Sequence, residues 1–166
     1  MVRKDEDRVR VFARRGADWT KRFPRIVSAV RKLKIDSALI DGEGIVYDAK
    51  GMPNFDLIHS HEYDSAVSLL AFDLLELNGT AVRKQPLVER KELLADFLAK
   101  GKDGIEFNGH IEGDGPTIFE HVCKLGHEGI VAKRIDLPYE SGRSRRWIKI
   151  KNLASPAAKR AEDGTF

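Results

Sequence analysis

The chain has 166 residues, of which 42% are apolar and 33% charged, with a formal net charge of +3. That balance fits one globular domain able to bury a core and excludes a disordered chain. No apolar run approaches the roughly 18 residues needed to span a bilayer, and the charged start lacks the apolar stretch of a secretory signal.

In chain order, Met1–Arg3 and Arg8–Arg14 read as two strands joined by the polar turn Lys4-Asp5-Glu6-Asp7, with Val9, Val11 and Ala13 alternating against Arg8, Arg10 and Arg14. Asp18 or Thr20 is expected to cap a helix in which Phe23, Ile26, Val27, Val30 and Leu33 share one face. SALIDGEGIVYD is a strand ended by the turn DAKGMP, and SHEYDSAV is a loop. VSLLAFDLLEL, bounded by Asn78-Gly79, reads as a buried central strand. PLVERKELLADFLAK is a helix with Pro86 near its first position; Leu87, Leu94 and Leu98 line it, and Glu89 and Arg90 face away from Leu93 and Phe97.

Further on, IEFN is a short strand and GPTIFEHVCKLG a helix closed by Gly126. Within that helix the single Cys123 has no partner for an internal disulfide, so it is expected to be a small buried hydrophobe in a reducing cytoplasm. GIVAKRID and RWIKIKN are strands around the loop DLPYESGRSR, and the tail beyond residue 152 has no period and reads as loose. Helices mixed with adjacent strand pairs predict an α+β fold of antiparallel sheets flanked by helices.

Polar residues that interrupt apolar strands carry the chemical information. Asp41 and Glu43 share the parity of Leu39 and Ile45, so two carboxylates project to one face between Gly42 and Gly44. The plainer reading is a charged edge that discourages aggregation. Asp73 follows Phe72 inside an apolar run, and a buried carboxylate must be paired or hold a cation. Glu128 precedes and Lys133 follows an apolar triplet, while Lys149 and Lys151 alternate with Ile148 and Ile150 and point the same way. Basic residues also concentrate at Arg8–Arg25 and at Arg143, Arg145 and Arg146, as suits a polyanion. Carboxylates for a hard divalent cation, lysines for phosphates and an aromatic for a base together describe a nucleotide-handling site. Neither a Walker loop nor a GxGxxG cradle is present. His59 and His61 have H-x-H spacing, but no CxxC or HExxH accompanies them, which reads against zinc.

The ordered series FARRGADWTKRFP, IDGEGIVYD, LLAFDLLELNG, GHEGIVAKR and WIKIKN resembles the covalent nucleotidyltransferase superfamily, in particular the bacterial ATP-dependent DNA ligases of end-joining repair. The likeness runs from about Arg8 to Ser155. It implies an ATP-grasp-like adenylation domain over 1–152, ATP as AMP donor, Mg²⁺ or Mn²⁺, a DNA partner with other repair proteins alongside, and a cytoplasmic, bacterial, monomeric setting. By the resemblance, Arg14 lies near the sugar or phosphate, Glu43 at the ribose or metal, Phe72 against adenine and Glu128 at the metal. Lys133 closes the same motif as Glu128, Lys149 and Lys151 meet the α-phosphate, and Arg143, Arg145 and Arg146 face DNA. Arg15 stands where the family's usual Asn would be. Phe72 as a core residue and Lys133 as a surface lysine are the plainer readings.

In this family a lysine of a K-x-D-G motif takes AMP from ATP, passes it to a DNA 5′-phosphate, and the 3′-hydroxyl displaces it. No K-x-D-G occurs in these 166 residues; Lys4 is the near candidate and lacks the following Asp and Gly at the right positions. The resemblance sets the nucleophile a few residues ahead of Met1 and an OB-fold domain beyond the lysine pair. The chain is therefore expected to be a partial adenylation domain. The alternatives are an inactive nucleotide- or DNA-binding remnant and an RNA ligase or capping-type transferase.

Overall fold

The computed structural model describes residues 1–48, 51, 54, 56–59, 61–98, 103–142 and 144–155, without the side chains of 56 and 59. Two compact units divide it. The first comprises Met1–Gly109 with Asp136–Tyr139, and the second takes His110–Ile135 and the chain from Glu140.

The first unit is built on strands β1 (Val2–Asp5), β2 (Arg8–Val11), β3 (Ser37–Ile45), β4 (Ser68–Leu77), β5 (Thr80–Ala81) and β6 (Ile105–Phe107). They form one sheet in the order β2-β1-β3-β4-β5, with β6 also on β4. The β1–β2 turn is Glu6-Asp7, so Lys4 lies on β1 rather than in the turn, and β2 ends before Ala13 and Arg14. Val2, Lys4, Val9 and Val11 are buried, whereas Arg8 and Arg10 are exposed, the alternation expected of a one-faced hairpin. Lys4 keeps its charge satisfied by donating from Nζ to the carbonyl of Glu6.

The described pairings are antiparallel except at β6, which runs parallel to β4. The reason is the helix α3 (Leu87–Leu98) between them: a helical crossover returns the chain to the end from which β4 started. Helix α1 (Pro24–Arg31) begins later than its proposed caps, with Phe23 at the N-cap and no side-chain cap. Asp18 and Thr20 serve the loop instead. Asp18 accepts from the Thr20 amide at 2.9 Å, and Thr20 Oγ1 accepts from the Val11 amide at 3.0 Å. Ile26, Ala29 and Val30 of α1 join Leu94 and Leu98 of α3, with Ile40, Leu74 and Ile105 of the sheet, in one contiguous core. Burying each such Val, Leu or Ile side chain is worth about 1.5–3 kcal/mol.

Arg90 corrects the reading of α3. It is 1% exposed and faces inward with Lys91 and Leu94, not outward with Glu89. It grips Asp73 bidentately, Nε to Oδ1 at 2.7 Å and Nη2 to Oδ2 at 2.9 Å, and Nη1 donates to the Gln85 carbonyl at 2.6 Å. The buried carboxylate on β4 is thus paired within the fold.

The second unit holds helix α4 (Gly115–Lys124) and a two-stranded sheet of β7 (Gly129–Lys133) and β8 (Trp147–Lys151). Asp114 caps α4, accepting from the Thr117 amide at 3.0 Å and from its hydroxyl at 2.6 Å, which holds the carboxyl below its ordinary range. Gly126, at φ +80°, follows the helix in the left-handed conformation expected of it. Cys123 is half-buried in α4, not fully buried, because the helix has no fully enclosed face. Asn152, 6% exposed, closes the hairpin: its amide donates to the Glu128 carbonyl at 2.8 Å and its Nδ2 to the His127 carbonyl at 2.9 Å. Residues 156–166, most of the proposed loose tail, lie outside the described residues.

Candidate nucleotide site

In the first unit, Ala38 and Ile40 of β3 enter the core, which sends Asp41 and Glu43 together to the opposite face. The close approach at Gly42 is to backbone: a Cβ there would lie 2.8 Å from the Leu70 carbonyl oxygen and from Leu69 Cδ1. Opposite this point the β3–β4 register shifts twice. Ile40 pairs with Leu74 and Asp41 with Asp73, but Gly42 pairs with Ala71, so Phe72 is an extra residue on β4. A bulge of this kind re-aims a side chain. Ala71 and Leu74 remain in the core, and Phe72 is half-buried. Lys91 supports the bulge, its Nζ donating to the carbonyls of Asn108 at 2.7 Å and Phe72 at 3.4 Å.

Asp41 is held by a residue that the sequence reading did not single out. Tyr139 returns to the first unit with Asp136–Pro138, donates from its hydroxyl to Asp41 Oδ2 at 3.1 Å, and donates from its amide to the Arg83 carbonyl at 2.9 Å. The Arg83 and Arg90 guanidinium carbons stand 5.8 and 5.9 Å from its ring centroid. Burial, then the neighbouring Asp41 charge, pushes the Tyr139 phenol up to about 12. Asp41 also accepts from the Gly42 amide at 3.1 Å. Glu43 is exposed on the same face, and Arg14 is exposed in the turn beyond β2.

In the second unit, β7 and β8 pair Val131 with Lys149, Lys133 with Trp147 and Gly129 with Lys151. Directly opposed residues share a face, so Lys133, Lys149 and Lys151 project together, and Lys149 and Lys151 are exposed. The Lys133 Nζ sits 3.9 Å from the Trp147 ring centroid, which fixes it as a cation–π contact. Gly129, at φ +144°, lets the strands close: a Cβ would lie 2.1 Å from the Ile150 oxygen. Glu128 is exposed just ahead of β7. Arg145 and Arg146 are exposed, with Arg146 3.8 Å from Glu140, and Arg143 lies outside the described residues.

The structure therefore brings Glu43, Phe72 and Asp41 to one part of the first unit, and gathers the three lysines on one strand face of the second. Glu43 and Glu128 belong to different units. Among the described residues no three His, Cys, Asp or Glu side chains cluster for a metal ion. The His59 side chain lies outside the described residues, and His61 is spent on Asp64 at 3.4 Å. No described helix is long and apolar enough to cross a membrane.

Mixed sheets and helices carrying these motifs define a nucleotidyltransferase fold, and the family profile described as "ATP dependent DNA ligase domain" matches residues 1–151. The chain belongs to that family. It is 34% identical over 155 residues to the multifunctional non-homologous end joining protein LigD of Pseudomonas aeruginosa, covering 91% of this chain and 18% of that protein. Among solved structures it is similar to the ligase domain of M. tuberculosis LigD, with a TM-score of 0.78, 34% identity, and coverage of 90% of this chain and 50% of that one. It is also similar to a mycobacterial DNA ligase D complexed with ATP and MES, with a TM-score of 0.77 and 32% identity over 91% of this chain and 50% of that one. The chain thus spans half of these ligase structures and under a fifth of the Pseudomonas protein.

Proposed function

We propose that this chain supplies the nucleotide- and DNA-binding part of an ATP-dependent DNA ligase adenylation domain, serving nick or end joining in bacterial DNA repair and recombination. The observation that carries this reading is the hairpin register that turns Lys133, Lys149 and Lys151 to one face. Three ammonium groups on one strand face are point charges suited to the α-phosphate of ATP. Phe72, at the β4 bulge, is the adenine platform, Arg14 addresses the sugar or phosphate, and Glu43 the ribose or the metal. Arg143, Arg145 and Arg146 meet the DNA backbone.

Glu43 and Glu128 are the residues for Mg²⁺ or Mn²⁺. Both are oxygen donors, and a cation shared with substrate phosphates needs only one or two protein carboxylates. Such an ion would neutralise charge on the phosphates during in-line transfer. The protein's own contribution is to orient the α-phosphate between lysines that are already held in place, Lys133 by Trp147 and the strand pair by Asn152.

These 166 residues do not include the family's K-x-D-G motif. Lys4 is 4% exposed with its Nζ committed to the Glu6 carbonyl. RNA ligase or capping chemistry loses its support to the family match. Incubation with α-labelled ATP and Mg²⁺ tests the proposal: reversible nucleotide binding without covalent label is expected. Covalent AMP on Lys4, or no ATP binding at all, would overturn it.

A further inference from the structure

The first unit carries a second carboxylate beside the candidate nucleotide site. Glu43 of β3 pairs with Leu70 of β4, and Leu70 pairs in turn with Glu106 of β6. Their chain neighbours Leu69, Ala71 and Ile105 lie in the core, so Glu43, Leu70 and Glu106 form one row on the opposite face. Strands about 4.8 Å apart set the two carboxylates on either side of β4, with Cβ atoms roughly 10 Å apart. Phe72 follows Leu70 by two residues, at the bulge.

Glu106 is held in place by a phenol. The Tyr47 hydroxyl, two residues beyond β3, donates to Glu106 Oε2 at 2.8 Å. Burial, then the Glu106 bond, pushes that phenol up to about 12, so it remains a donor throughout the neutral range. Glu106 is half-buried, whereas Glu43 is exposed. None of the motifs that carry the family likeness contains Glu106; it falls between LLAFDLLELNG and GHEGIVAKR.

We infer that Glu106, oriented by Tyr47, reads the base of the nucleotide, its Oε1 accepting a hydrogen bond from the exocyclic 6-amine of adenine. This rests on the adenylation-domain reading, in which Phe72 carries the adenine and Glu43 meets the ribose or the metal. A base stacked at Phe72 with its sugar toward β3 turns its six-membered ring toward β6, where Glu106 stands. A carboxylate accepts and does not donate, so it suits an amine and repels the 6-carbonyl of hypoxanthine or guanine. Rejection by an unpaired polar group discriminates more sharply than shape alone. Glu106 is thus the specificity-determining residue and Tyr47 its positioning residue.

Isothermal titration of the whole chain with ATP, inosine triphosphate (ITP) and dATP, each with Mg²⁺, tests this. ITP keeps the sugar and phosphates of ATP and replaces the 6-amine by a carbonyl. Wild type should bind ATP at least about tenfold more tightly than ITP. Glu106→Gln, whose amide both accepts and donates, should bring that ratio to within about twofold and leave the ratio of ATP to dATP as in wild type. Tyr47→Phe should lower the ATP-to-ITP ratio about threefold, whereas a general loss of structure would weaken all three nucleotides alike. Equal affinity of wild type for ATP and ITP, or a ratio unchanged in Glu106→Gln, would overturn the assignment while leaving the ligase reading intact. A change confined to the ATP-to-dATP ratio would put Glu106 at the sugar and overturn base reading. An ATP-to-ITP ratio unchanged in Tyr47→Phe would overturn the role of Tyr47. No ATP binding by wild type would overturn both the inference and the ligase reading.

Discussion

In the first unit, Ile26, Ile40, Leu74, Leu94 and Ile105 are sealed from water, whereas in the second unit Val131, Ile148 and Ile150 are 50%, 57% and 37% exposed. Among the described residues, none of the fully buried apolar side chains belongs to the second unit. Charges differ in the same way. The first unit absorbs its central charges into structure, Asp73 on Arg90 and Asp64 on Arg22. The second leaves Lys149, Lys151 and Arg145 facing outward. A two-stranded hairpin is marginal alone, and the contacts that hold this one are polar and local: Asn152 at its end and Asp114 at the helix. The comparison separates residues kept for the fold from residues free to serve a ligand.

Breaking Asp73–Arg90 should have the largest effect. Arg90→Met strands a buried carboxylate and should cost about 3–5 kcal/mol in denaturant unfolding, while Asp73→Leu/Arg90→Met together should recover most of it. Next, Ile26→Ala should cost about 2–5 kcal/mol and Ile148→Ala less than about 0.5 kcal/mol. Comparable costs at the two sites would erase the distinction between the units.

A smaller effect is expected at Tyr139. Tyr139→Phe removes the hydroxyl donor to Asp41 and should cost about 1 kcal/mol. Since the phenol is pushed up to about 12 from an ordinary 10.0, its contribution is complete below pH 10.0 and disappears as pH rises toward 12. Ultraviolet titration should show Tyr139 ionising late, alongside Tyr47, whose phenol is also pushed up to about 12 by burial and Glu106. The smallest effect concerns Asp114, whose carboxyl is lowered from 3.8. Its capping is complete above that value and is lost as pH falls through the depressed one. The Thr117 amide resonance should move in that acid window, and Asp114→Ala should abolish the movement.

The sequence was legible where the signal is local. Alternation marked Val9 and Val11, the apolar run marked β4, and motif order marked the ligase family before any geometry. Long-range pairings were less legible. Arg90 and Lys91 lie three and four residues after Leu87 and so fall within the stripe of Leu87, Leu94 and Leu98; helical spacing already put them inward, but their charge argued otherwise. The bulge at Phe72 depends on cross-strand register, which one strand's pattern does not contain. Tyr139 reaches Asp41 across 98 residues, and no local signal announces that contact. Asp114 was readable: an Asp two residues before a Pro, with Thr117 following, is an N-terminal helix signature.

The proposed function requires the lysine face of β7–β8 to grip the phosphates of ATP. Isothermal titration of ATP with Mg²⁺ into wild type and Lys149→Ala/Lys151→Ala tests this directly. Both lysines are exposed, so their removal should leave the fold unchanged. Binding by wild type that weakens about tenfold or more in the variant is the predicted result, and equal ATP affinity in the two proteins would contradict it.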